Sequence, residues 1–365
     1  MTQEGKFGVH EAVCLLTITS VAKVFYTSPA LLVGIVGTAS WYMTLISAAT
    51  AAFGFTFIYF LLKRFPGKNL MEIYDNVLGR FLGFLFSLML LFILTTTGIS
   101  NLREFSDVLK VYVYPDSPLG YLMGIILFTA AILSFLGLET IARYSKFVGY
   151  ALIFGFVLVM ILSIQNYEFF RIFPLLGHGI KTTVYTGIMR SSAYAEIIII
   201  GIFAGSLQGI SHIKRAAYTS FMLAGIIVSF SLLAYVMSFP YTVAQELTAP
   251  MYEMVGVINY GSFFQRVEPI FLFVWSISSL ISITVLFYMA LLVYCHMFRI
   301  NDKKPLIIPF SIIFFALASM PLSIIHLIKG LIQILRSFSW TFFFIPPIVT
   351  LITATILKKK GSTNA

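Results

Sequence analysis

The sequence predicts an all-α polytopic membrane protein, and three observations predict it. Hydrophobic residues make up 59% of the chain and charged residues 10%, where a soluble domain carries about 25% charged. The apolar residues fall into ten stretches of membrane-spanning length separated by polar turns. The first and the sixth stretch are interrupted by charged and hydrogen-bonding residues. A soluble core of this composition would leave too little polar surface to cover itself. No stretch between the apolar segments is long enough to bury a core of its own, so residues 1–365 read as a single transmembrane domain.

The segments follow in order. The first spans Val9 to Val36, with its polar interruption from Lys23 to Pro29; Pro29 lacks a backbone donor and disfavours helix at Ser28. The second, Trp41 to Leu62, stops at Lys63-Arg64-Phe65-Pro66-Gly67-Lys68. An amphipathic turn from Leu70 to Leu78 leads to the third, Phe81 to Asn101, which Arg103, Glu104, Asp107 and Lys110 extend as a polar helical end. Pro115-Asp116-Ser117-Pro118 signals a turn before the fourth, Leu119 to Leu138. The fifth is Phe147 to Ile164, and a connection with Pro174, Gly177 and Gly179 leads to the sixth, Thr183 to Leu207. The seventh is Tyr218 to Phe239, the eighth Pro269 to Met297, the ninth Leu306 to Ile328 and the tenth Trp340 to Leu357. Between the seventh and eighth lies the longest loop, 240–266, where Met251, Met254, Val255 and Ile258 recur at helical spacing and predict a short surface helix. This apolar stripe must be covered by the chain itself, by lipid headgroups or by another subunit.

The net charge of +10 does not point to nucleic acid, because the basic residues form no patch. Fifteen of the 24 Lys and Arg fall on one side of the predicted topology and seven on the other, with Lys23 and Arg190 inside the membrane. The positive-inside rule then puts both termini in the cytoplasm. The five histidines and two cysteines show no metal spacing, and no nucleophile–base pair, phosphate loop or cofactor motif is present. The sequence is therefore not read as that of an enzyme, and no cofactor is expected.

The candidate site lies in the interrupted segments. A charge at membrane depth costs at least a few kcal/mol, so it faces a cavity, a partner or a ligand. Interrupted segments at matching positions of two halves point to a transporter-type site at the bilayer midplane. The sixth segment supplies Arg190, Ser191, Ser192, Tyr194 and Glu196, and the first supplies Lys23, Thr27, Ser28 and Pro29. Glu196 is either a ligand or proton site or one half of a buried ion pair with Arg190 or Lys23. Lys23 either neutralises a ligand carboxylate, replaces a cation, or pairs with Glu196 across the two segments. Thr27, Ser28 and Pro29 either expose backbone amides that favour an anion or mark a plain proline kink. Arg190 and Glu196 lie about 120° apart on a continuous helix, so they pair only if it unwinds, which Ser191 and Ser192 permit. In the third segment Thr97 either lines a cavity or bonds between helices.

The chain also resembles a family. Arg64-Phe65-Pro66-Gly67-Lys68 with Glu72 and Gly79, Leu102-Arg103-Glu104-Phe105, Pro174-Leu175-Leu176-Gly177 with Gly179, and Leu247-Thr248 with Pro250-Met251-Tyr252-Glu253 resemble the endospore germination permeases. The likeness continues through Arg266-Val267-Glu268 and through Phe298 and Arg299 with Pro305. The resemblance implies an amino acid–polyamine–organocation transporter-like (LeuT-like) fold: two inverted five-helix repeats, about 9–164 and 183–357, with helices one and six broken. It also implies a B subunit that senses a small, amino acid-like germinant together with A and C subunits in the spore's inner membrane. In one respect the chain departs from such transporters. They carry a glycine-rich break in helix one, whereas here Ala22 to Pro29 holds a lysine and bulky side chains, with no glycine between Gly8 and Gly34.

Overall fold

The computed structural model describes residues 5–261, 267–321, 330 and 333–361, without the side chains of 334–337, 339, 342 and 343. Arg266, residues 322–328 of the expected ninth segment, His326 and Lys329, and the Arg336 side chain lie outside the described residues. Among the described residues the protein is all-helical. Six stretches are apolar and long enough to cross a bilayer: Ser28–Arg64, Leu70–Tyr112, Leu119–Leu136, Leu138–Asn166, Ile210–Ser238 and Glu268–Met297. Two shorter apolar helices, Lys304–Ser319 and Phe344–Ile356, follow. Exposed Phe81, Phe128, Phe147 and Phe154 decorate the outside, as a lipid-facing surface requires.

The first expected crossing is built in pieces. Helix α1 (Val9–Val21) passes into a 3-10 turn, Ala22–Phe25, and helix α2 (Ser28–Val36) resumes after it. The break forms without glycine because no residue in it needs a positive φ. Tyr26 takes an extended conformation at φ −95°. Pro29 sits in the first turn of α2, where a missing N–H costs nothing. The expected sixth crossing is broken more extensively. Helix α7 (Ile180–Met189) ends at Arg190, and the next twelve residues, Arg190–Gly201, wind as 3-10. Such runs rarely exceed three or four residues and often mark hinges.

Helix α3 (Ser40–Arg64) covers the expected second crossing. Helix α4 (Leu70–Tyr112) joins the amphipathic turn to the third crossing. It starts from a reciprocal cap, in which Asn69 and Glu72 bond each other's backbone. It kinks at Gly79, whose φ of 81° favours glycine. This helix corrects one expectation. The sequence puts Arg103 and Glu104 at a polar helical end, yet α4 continues to Tyr112 and both side chains are buried. Helices α5 (Leu119–Leu136) and α6 (Leu138–Leu162) complete the first half. In the second half α8 (Ile210–Ser238) packs on α1 and α3. Two short helices, α9 (Tyr241–Ala244) and α10 (Pro250–Gly256), fill the long loop, and α11 (Glu268–Met297), α12 (Ile307–Ser319) and α13 (Gln333–Ile356) follow.

The two ends of the bundle are tied differently. At one end the described chain termini meet: Phe7 N–H donates to Ser206 O, and Gly361 N–H to Arg64 O. There Arg64 grips Ala354 O and Lys359 O, while the Lys359 ammonium bonds Asn76 O and Val77 O, just before the Gly79 kink. At the other end α10 lies over the break in the first crossing. Met251, Met254, Val255 and Ile258 are all buried by the chain itself. The stripe read from the sequence is therefore covered by the chain itself. Replacing Met254 and Val255 together with Ser is expected to destabilise the purified protein by about 3 kcal/mol or more, read as a lower unfolding midpoint in detergent. An unchanged midpoint would mean that the stripe packs on nothing in this chain.

Candidate functional site

The two breaks face each other. Lys23, on the 3-10 turn between α1 and α2, and Glu196, on the 3-10 stretch after α7, are only 7% and 3% exposed. The Lys23 ammonium donates to Glu196 Oε2 at 2.5 Å and also to the carbonyl oxygen of Ala193. It lies 5.8 Å from the centre of the Tyr194 ring. Unwinding explains the second contact. A 3-10 stretch presents its carbonyls less regularly than an α-helix, so Ala193 O can turn to the ammonium. Of the two pairings open to Glu196 in the sequence, the structure makes the one with Lys23. Arg190 instead donates to Gln333 Oε1 of α13 at 2.8 Å.

The other candidates gather around this pair. Ser28 and Pro29 share a cavity of about 30 Å³ with Lys23, Arg190 and Tyr194. Thr97 of α4 lines a second, of about 20 Å³, with Glu196. Ser191 and Ser192 are buried at the start of the unwound stretch, and the Ser191 hydroxyl makes no hydrogen bond among the described residues. Thr27 turns the other way and donates to Glu104 Oε1 at 2.6 Å. Glu104, read from the sequence as part of a polar helical end, is thus bonded to the first break. Its neighbour Arg103 pairs with Asp107 at 2.9 Å and reaches Ala318 O. Glu11 of α1 pairs with Lys146 of α6 at 2.7 Å.

The site is closed towards α10. Above it, His178 Nδ1 lies 2.9 Å from Ile35 O, and its Nε2 lies 3.1 Å from the Tyr241 hydroxyl. The carbonyl can only accept, so Nδ1 carries the proton and Nε2 accepts from Tyr241. Thr38 also bonds Pro174 O, and Tyr42 bonds Leu175 O. Gly177 lies so close to Val36 O and Ala39 that a side chain there would collide with backbone. At the opposite end a cavity of about 310 Å³ is lined by Lys6, Asn69, Glu72, Ser206, Asn301 and Lys303.

Comparison with known proteins gives a consistent picture. Residues 6–323 match a family described as spore germination protein. Spore germination protein KB of Bacillus subtilis (strain 168) is 18% identical over 280 residues, 76% of this chain and 75% of that protein. Spore germination protein YndE of the same organism is 21% identical over 290 residues, 77% of each chain. Among solved structures, MhsT in complex with L-phenylalanine superposes with a TM-score of 0.68 at 13% identity, covering 96% of this chain and 89% of that one. A mutant of the manganese transporter of Eremococcus coleocola gives a TM-score of 0.58 at 11% identity, covering 96% and 77%. At these identities the solved structures show a shared transporter fold.

Removing one half of a buried pair leaves the other charge uncompensated, at a cost of about 3–5 kcal/mol. Lys23→Gln alone is therefore expected to lower the unfolding midpoint of the purified chain sharply. Lys23→Gln with Glu196→Gln should regain most of the loss. A double variant as unstable as the sum of the singles would show that the two side chains do not act on each other.

Proposed function

The chain belongs to the spore germination protein family, and from that membership we propose that it is the B subunit of a spore germinant receptor. In this reading it spans the spore's inner membrane ten times, as two inverted repeats over 9–164 and 183–357. Both termini are cytoplasmic, and A and C subunits are its partners. It binds a small, amino acid-like germinant where the first and sixth crossings are broken, and passes the resulting change to those subunits.

The observation that carries the reading is the Lys23–Glu196 pair, which bridges the two breaks at 2.5 Å. The cavities beside it, about 30 and 20 Å³, are too small for an amino acid. A ligand can enter only by parting the pair, and parting it is costly unless both charges find new partners. A zwitterion supplies both: a carboxylate for Lys23 and an ammonium for Glu196. Ser28, Pro29, Thr97 and Tyr194 then form the walls, Ser191 and Ser192 start the unwound stretch behind them, and Thr27 reaches the site through Glu104. The ion pair is thus a latch whose opening moves the half-helices on either side, which suits a sensor.

The transporter fold supports a second reading, a proton-coupled transporter of amino acids or similar solutes. The 310 Å³ cavity at the terminal end favours it, since it gives an exit route on one side of the closed site. Uptake of labelled amino acids into vesicles holding this chain alone would favour transport; a germination response that needs the partner subunits, without uptake, would favour sensing.

Lys23→Gln with Glu196→Gln keeps the shapes of both side chains, removes both charges and retains most of the stability. It is expected to weaken the germination response at least about tenfold in germinant concentration, a loss of about 1.4 kcal/mol, while the amount of protein in the spore membrane stays within about twofold. A normal response at normal protein level would sink the proposed site.

A further inference from the structure

We propose that the connection between α6 and α7, residues 163–179, is an interfacial anchor whose outer face sits among the headgroups and upper acyl chains of the leaflet on the α10 side. The partner that this surface fits is the bilayer itself. Its composition, its depth and its rigidity carry the inference.

The face is apolar and turned outwards. Phe169, Phe170, Phe173, Leu175 and Leu176 are all exposed, Phe169 by 72% and Phe170 by 69%. A contiguous cluster of this kind is costly in water and marks a membrane or protein contact. The chain also keeps charge off the face. Arg171 turns inwards, donates to Met237 O and Ser238 O at the end of α8, and pairs with Glu168 at 3.0 Å.

The depth is that of the bilayer boundary. Lys146 is the last charged side chain of α6, and a crossing needs about 20 apolar residues. Counted from Phe147, that crossing ends beside Asn166, where α6 has just given way to a 3-10 turn. The apolar face also runs on into exposed helix surface at both ends: Ile161 of α6 before it, and Ile180, Tyr185 and Ile188 of α7 after it. A docking face for a water-soluble partner would instead be bounded by a polar rim. Lys181, at the start of α7, is exposed beside the face, placed to reach lipid phosphates while its stem covers apolar surface.

The backbone beneath the face is fixed. Glu168 N–H donates to Met237 O and His178 N–H to Val36 O, while the Thr38 hydroxyl donates to Pro174 O and that of Tyr42 to Leu175 O. The exposed side chains are therefore held outwards. The same bonds link the anchor to both breaks. Helix α2, held at Val36, follows the first break, and α7, which continues directly from the connection, leads into the second. A movement of either half-helix drags the anchored face against the bilayer. The inference holds for a sensor and a transporter alike.

The test uses the full-length chain in phosphatidylcholine vesicles. Phe170→Trp places a reporter in the face, and Glu246→Trp places one in the exposed loop at the same end. Each is read as emission above that of the parent chain, which has three tryptophans. Lipid brominated high on its acyl chains quenches from the bilayer, and acrylamide quenches from water. Brominated lipid is expected to quench the added emission of Phe170→Trp at least about twofold more than that of Glu246→Trp, with acrylamide giving the opposite order. Acrylamide quenching of Phe170→Trp as strong as that of Glu246→Trp overturns the proposal. If that quenching then disappears when a second protein binds, the face is a protein docking surface and the bilayer is not its partner. Both positions are exposed, so neither substitution disturbs the core.

Discussion

A buried charge must be paired, and in this protein that constraint holds the two broken crossings together. Lys23 and Glu196 lie 173 residues apart in the chain and meet at 2.5 Å. Each sits on backbone that has left the α-helix. In an intact α-helix the Ala193 carbonyl would be turned along the axis to its own i+4 N–H rather than towards Lys23. The Ala193 carbonyl, freed by the 3-10 winding, adds to the shell of the ammonium. Pairs of this kind contribute little net stability but lose much when one partner is removed. They suit a structure that must be firmly closed and yet can open when replacement charges arrive.

The rest of the fold packs around that pair. Towards the long loop, α10 turns its apolar side down onto the first break, and His178 ties α2 to the connection before α7 and to Tyr241. Towards the terminal end, Arg64 and Lys359 strap the last helix onto the start of α4. Between these closures the space beside the pair shrinks to about 20–30 Å³. A far roomier cavity, about 310 Å³, opens at the terminal end. The structure is thus tightly packed on the α10 side and roomier on the opposite side.

Much of this was legible in the sequence, for physical reasons. Lys23, Pro29, Arg190 and Glu196 stand out because charges and a proline are expensive within apolar crossings. The fold class followed from apolar run lengths, and the helix in the long loop from the spacing of Met251, Met254, Val255 and Ile258. What covers that helix was not legible, because periodicity gives a face and not its neighbour. Glu104 was misplaced for a related reason. A cluster of Arg103, Glu104 and Asp107 reads as a helix leaving the membrane, whereas here the charges are bonded within the fold: Arg103 to Asp107 and Ala318, Glu104 to Thr27. The glycine-free break also proved less of a departure than it looked, since the chain turns there without any positive φ. The length of the unwound stretch after α7 had no sequence signal; Ile197 to Ile200 would sit as readily in a helix.

The most direct test of the account exchanges the two charges. Lys23→Glu and Glu196→Lys, each alone, place two like charges together and should abolish the germination response. The double variant restores an opposite pair across the same two breaks. If the pair is the latch, the double variant should respond measurably where both singles fail, at comparable protein levels in the membrane. A double variant as unresponsive as the singles, although equally abundant, would contradict the claim that these two residues work as one.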